Sequence, residues 1–318
     1  MGGRAAESGA ATGGALGGTM SVEAGGSAQS TAGTAATAEA GMGPSEGGGS
    51  GTNGSGGAAS SAVAIPSPGC ALANATPNLQ EIPAPLGIKL ALPAGYDGVT
   101  PLPLIFDLHA TNAGQEYSYF KADPLFAQRY VLAGPEPSSS AFGSFESMID
   151  VTDVLTSTLD VLLASFCIDE SRLFATGDGS GGRVLTSWVA ARDKAQISPR
   201  FQALAVVGTY YGRFSKWQPT PLLFVHGLQS RNSASVANDV DGTKAFATLA
   251  GMNACGQAST PVNADRCPTQ SSVDPGCVDV GGCAAPLRFC HYDGPAEEDV
   301  WPCFATAAVS QFFEPFRQ

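Results

Sequence analysis

The stretch that most restricts how this chain can fold is Ser171-Arg-Leu-Phe-Ala-Thr-Gly-Asp-Gly-Ser-Gly-Gly-Arg183. Leu173-Phe-Ala-Thr176 is apolar and strand-like. The adjoining Gly177-Asp-Gly-Ser-Gly-Gly182 permits a helix to start almost without a connecting loop. A turn that sharp brings strand and helix backbones together, so the residues two before and two after its apex must be small. Two registers are available. With residue 179 at the apex, the flanking positions are Gly177 and Gly181. With Ser180 at the apex, one flank is Asp178, whose carboxylate would sit where the two backbones nearly touch. The first register suits the sterics, and it places glycine at a point where an L-residue is held under strain and glycine is not.

The 318 residues divide by composition. Residues 1–62 are mainly Gly, Ala, Ser and Thr, with too little apolar surface to offset the entropy of ordering, and read as a flexible tether. Residues 63–318 carry the aromatics, the prolines and the apolar runs, at a length that suits one domain with a sizeable core. Arg4 against Glu7, Glu23, Glu39 and Glu46 leaves the tether at -3, so -9 of the net -12 falls on the globular part. Such a surface repels nucleic acid and anionic membrane. No apolar segment approaches the length of a bilayer span.

All eight cysteines (70, 167, 255, 267, 277, 283, 290 and 303) lie in the globular part. There is no Cys-x-x-Cys pair and there are three histidines, which argues against zinc and for disulfides, hence an oxidising, extracellular or surface-tethered setting. Eight cysteines allow 105 pairings, and spacing does not choose among them. Met1-Gly-Gly-Arg4 leads into no apolar stretch, so the expected export segment is taken to precede the given start. Neither a cofactor nor a metal is implied, and oligomeric state is open.

Along residues 63–318, strand-length apolar runs alternate with helical patterns. The strands read are 88–92, 102–108, 130–133, 172–176, 203–207, 222–226 and 287–292; the helices are 148–166, 181–191, 243–252 and 304–313. Residues 255–285 have neither period and read as a disulfide-pinned excursion. The alternation predicts a three-layer α/β fold with a mostly parallel sheet and helices on both faces.

Ordered pieces across residues 69–316 carry a resemblance: Gly69-Cys70, Leu92-Pro-Ala-Gly-Tyr-Asp97, Pro103-Leu-Ile-Phe-Asp-Leu-His109, Cys167-Ile-Asp-Glu-Ser-Arg-Leu-Phe-Ala-Thr-Gly177, Pro221-Leu-Leu-Phe-Val-His-Gly227, Tyr292-Asp-Gly294 and Trp301-Pro302. The chain resembles the secreted α/β-hydrolases that group feruloyl esterases, acetylxylan esterases and polyhydroxybutyrate depolymerases. The resemblance implies an α/β-hydrolase fold, a serine–histidine–acid triad and ligands that are polysaccharides, phenolic esters or polyesters. Carried over by motif, the serine position falls on Gly179. The acid, two residues after the His-Gly and its following residue, falls on Ser230, and the histidine before x-Trp-Pro falls on Asp299. None of these side chains can perform its role in a triad, and joint loss is what a lineage released from catalysis would show. Backbone N–H groups of Ser180 and Thr111 fall at the oxyanion positions.

Two other readings stand beside this one. Ser180 with His291 forms a possible rescue pair, with Asp178, Asp239, Asp241, Asp293 or Asp299 as acid; the plain reading of Ser180 is a helix cap, and of His109 and His226 a structural role at strand ends. Tyr210, Tyr211, Phe214 and Trp217 follow a strand and are expected either to stack on sugar or phenolic rings or to pack on the loop beneath. The expected protein is thus a catalytically inactive relative with a binding or scaffold role, the rival being an active ester hydrolase using Ser180.

Overall fold

A computed structural model of the chain describes residues 63–70, 72, 80–82, 87–109, 118–136, 145–190, 200–208, 217–229, 242–256, 263–265, 277–295, 301–302 and 304–317. The tether assigned to residues 1–62 lies outside them. Among the described residues, β1 (Gln80–Ile82), β2 (Gly87–Ala91), β3 (Leu102–Leu108), β4 (Val131–Glu136), β5 (Ile168–Asp178), β6 (Phe201–Val207), β7 (Leu222–Gln229), β8 (Asn263–Asp265), β9 (Val278–Val280) and β10 (Leu287–Pro295) form one sheet. Its order is β1-β2-β4-β3-β5-β6-β7-β10-β8, with β9 also paired to β10. From β4 across to β8 every pairing on this path is parallel. The β1–β2, β2–β4 and β9–β10 pairs are antiparallel.

The helices are α1 (Ser118–Lys121), α2 (Pro124–Arg129), α3 (Phe145–Ser165), α4 (Ser180–Ala190), α5 (Gly242–Met252) and α6 (Ala305–Phe313). The strands are apolar on both faces, as a sheet covered twice requires. Leu104, Phe106, Ala175, Val206 and Phe224 join one core with Leu155 and Leu159 of α3, Trp188 of α4 and Phe246 of α5. Their alternates Ile105, Phe174, Val207 and Val225 join a second core with Phe126 of α2 and Val309 and Phe313 of α6. Phe174 stacks on Phe313 with centroids 4.6 Å apart. The buried Trp188 donates its indole N–H to Thr156 Oγ1 at 3.1 Å, which ties α4 to α3.

Each strand and helix expected from periodicity is present; β3 keeps its predicted bounds of 102–108, and the others differ at one or both ends. β5 runs longer at both ends than the predicted 172–176. Elements too short to show a period are the additions: β1, β8, β9, α1 and α2. α2 does carry a signal, because Asp123 caps it by accepting from Leu125 N at 2.8 Å and Pro124 occupies its first turn.

The disulfides resolve part of the pairing that spacing leaves open: Cys70–Cys167, Cys255–Cys283 and Cys277–Cys290. Cys255–Cys283 closes the excursion at its base, and Cys277–Cys290 fastens it to β10. β9 and β8 then pair with successive halves of β10, at Leu287–Phe289 and at His291–Asp293.

Candidate functional site

Because the central strands are parallel, their carboxyl ends share one edge of the sheet, the edge at which ligands bind in open α/β folds. The β5–α4 turn lies there. Asp178 ends β5, Ser180 begins α4, and Gly179 between them has φ of +49°. Its N–H donates to Val207 O at 3.0 Å, extending the β5–β6 ladder by one residue, and its carbonyl accepts from Arg183 N at 3.3 Å, the first bond of the helix.

The sterics suit an apex at 179. A Cβ on Gly177 would lie 2.7 Å from Gly181 O, and a Cβ on Gly181 would lie 1.7 Å from Leu108 O. Only glycine fits either position. These are the small residues that flank an apex at 179, the position that carries the nucleophile when a turn of this kind is catalytic. Here the apex carries no side chain. In the other register the flanking small position is Asp178, which is buried at the end of β5, and Ser180 is the first residue of α4. Ser180 thus stands at the helix N-terminus, where a capping serine is expected.

Around the turn the carboxyl edge is built from buried polar residues. Thr176 Oγ1 donates to Asp107 Oδ1 at 2.5 Å, a cross-link between β5 and β3 just beneath the apex. His109, directly after β3, is buried, and His226 in β7 is buried with its ring stacked on Phe224 at 5.3 Å. A second positive-φ glycine, Gly208 (+84°), follows β6 and donates its N–H to Val225 O at 2.8 Å. Sequence reasoning singles out neither Gly208 nor the Asp107–Thr176 pair. The signals are present, as a glycine straight after an apolar strand and polar residues inside buried runs.

The possible rescue base His291 lies within β10, its backbone in register with His226 of β7. Asp178, Val207, Val225 and Cys290 form one row across β5, β6, β7 and β10. Residues 179 and 291 are the next along their strands. Three strand spacings, roughly 14 Å, therefore separate their backbones, whereas proton transfer needs hydrogen-bond contact. Ser230, Asp299, Thr111, Tyr210, Tyr211 and Phe214 lie outside the described residues, as do Asp239 and Asp241.

Trp217 is at the opposite edge. Its indole N–H donates to Asn253 Oδ1 at 3.1 Å, and the same amide accepts from Thr220 N at 3.2 Å and donates to Thr220 O at 2.8 Å. Thr220 precedes the start of β7 and Asn253 follows the end of α5, so this cluster belongs to the amino edge. Of the two roles expected for Trp217, packing is the one its surroundings fit.

No family model matches the chain. It is 26% identical to the probable feruloyl esterase C of Aspergillus terreus over 216 residues, which span 65% of this chain and 75% of that protein. The probable feruloyl esterase C of Aspergillus oryzae is likewise 26% identical over 217 residues, 64% of this chain and 74% of the relative. Among solved structures, the glucuronoyl esterase from Solibacter usitatus aligns with a TM-score of 0.49 and 13% identity, over 74% of this chain and 78% of that one. With this sheet, this turn and these curated relatives, the chain is an α/β-hydrolase-fold protein similar to feruloyl esterases.

Proposed function

We propose that this esterase-like protein has lost ester hydrolysis and acts outside the cell by binding, or as a scaffold on, the class of material its relatives act on, with phenolic esters on polysaccharide as the first candidate. The carrying observation is Gly179. The fold keeps the two close backbone approaches that make the turn, and the atom that would attack an ester carbonyl has no side chain to sit on.

The chemistry is dictated by that position. A serine hydrolase needs a hydroxyl at the apex, an imidazole to take its proton and an acid to orient the imidazole. Removing the nucleophile or base alone costs on the order of 10⁶ in turnover, and the losses do not add because the residues act as a unit. Selection on the other two positions lapses with the first. The residues found at them by motif, Ser230 and Asp299, agree with that order of events. The separation of His291 from the turn speaks against rescue through Ser180.

Turnover of p-nitrophenyl acetate and methyl ferulate by the purified chain tests the proposal, with heat-killed protein as control. No excess over the control is expected, together with retention on feruloylated polysaccharide in a pull-down. Turnover that disappears in Ser180→Ala would establish the active esterase instead.

A further inference from the structure

The amino end of β5 holds an arrangement that the esterase-like reading does not use. Residues 63–70 run along the α3–β5 corner and are fastened to it at almost every step. Ile65 N donates to Asp169 Oδ1 at 2.9 Å, and Glu170 N donates to Ile65 O at 2.8 Å. Pro66 bridges Asp169 in antiparallel fashion. Ser67 N donates to Ile168 O at 2.8 Å, its hydroxyl donates to Phe166 O at 2.7 Å, and the same oxygen accepts from Ile168 N at 3.0 Å. Gly69 N donates to Leu163 O at 2.9 Å, so close that a Cβ on Gly69 would lie 2.3 Å from Phe166 O. Cys70–Cys167 then closes the contact covalently, and Cys167 N donates to the Tyr96 hydroxyl at 2.6 Å.

The strand that receives the bonds of Ile65, Pro66 and Ser67 is β5, which pairs with β3 at Ile168 and, from Leu173 on, with β6. Asp169 is fully buried and also accepts from Ser171 N at 2.9 Å, from the Ser171 hydroxyl at 2.6 Å and from Arg172 Nε at 2.5 Å. It thereby joins the arm to the rigid start of β5. Because the arm is antiparallel to β5, a pull on residue 63 along the strand loads the bonds together instead of opening them in turn. A pull that exceeds them reaches Cys70 and crosses to Cys167, 97 residues on, without passing through β1–β4 or α1–α3.

We infer that residues 63–70 form a clasp that lets the globular part withstand tension from its N-terminal chain, the situation of a domain tethered at one end while holding an insoluble ligand. The inference rests on reading residues 1–62 as a tether and is independent of whether esters are cleaved. The step is conformational, with no bond made or broken while the disulfide stays oxidised.

Single-molecule pulling on the full chain, with handles at both termini and no reductant, tests it. The wild type is expected to hold the arm up to its main unfolding event. Cys70→Ala/Cys167→Ala is expected to release the arm in a separate event at no more than half that force and to lengthen the extended chain by about 350 Å, the reach of the freed loop. Should that variant fail to fold, Asp169→Asn keeps the disulfide and is expected to add a short extension before the main event. Unchanged force and a single event in whichever variant folds would overturn the clasp.

Discussion

The two ends of β5 are held in opposite ways. At the carboxyl end the β5–α4 turn itself asks for absence: glycine at 177 and 181 because a backbone oxygen occupies the place of a Cβ, and glycine at 179 accommodating φ of +49°, above the Thr176–Asp107 bond that links β5 to β3. At the amino end it asks for particular atoms: the Asp169 carboxylate, the Ser67 hydroxyl and the Cys70–Cys167 bridge. The difference separates fold from chemistry. A turn maintained by missing side chains does not need a serine to persist, so a chain can lose a hydroxyl there without loosening its sheet. An end maintained by specific side chains cannot lose them without cost.

The largest effect should come from filling the carboxyl end. Gly181→Ala puts a methyl 1.7 Å from Leu108 O, backbone that cannot step aside. It is expected to cost at least 4 kcal/mol by chemical denaturation, in the exceptional range for one substitution. Stability within about 1 kcal/mol of wild type would show that α4 is not seated against β3 as described.

At the amino end, Cys70→Ala/Cys167→Ala should cost roughly 2–5 kcal/mol under the same assay. A smaller effect is expected from acid. Burial pushes the Asp169 carboxyl up, but bonds from Ser171, from the Ile65 N–H and from Arg172 outweigh it and hold the pKa below the ordinary carboxylate value. Since the folded pKa is the lower one, this contribution is complete above the unfolded carboxylate pKa and is lost as pH falls through the folded one. The wild type should therefore lose more stability than Asp169→Asn on titration downward from about pH 4. Parallel curves for the two proteins would remove Asp169 from the clasp.

Gly179→Ser is expected to fold at a cost of about 1–2 kcal/mol for a side chain in the left-handed region and to remain without esterase activity, because a nucleophile without its base is not activated. Gly251→Ala is the mildest test. It lies in α5 with open space around it, and the substitution should stabilise the protein by about 0.5–1 kcal/mol.

Much of this comparison is legible in the residues. Two glycines flanking position 179 give the register of the turn, and alternating apolar runs such as Leu102–Leu108 give the sheet. The hidden part depends on contacts far apart in sequence. Nothing local pairs Pro66 with Asp169 or Cys70 with Cys167, and three-residue strands such as β8 and β9 are too short to show a period. Placing Trp217 with the cleft aromatics has a counter-signal in the sequence itself. A chain leaving the carboxyl end of β6 must return to the amino edge before β7 begins at Leu222, and a residue that close to Leu222 has already returned.

The central claim is that no activated hydroxyl exists at the β5–α4 turn. Incubation of the purified chain with a fluorophosphonate, followed by intact-mass measurement, tests it most directly, since only an activated serine reacts readily. No adduct beyond that of denatured protein is predicted. A stoichiometric adduct that vanishes in Ser180→Ala would contradict the account.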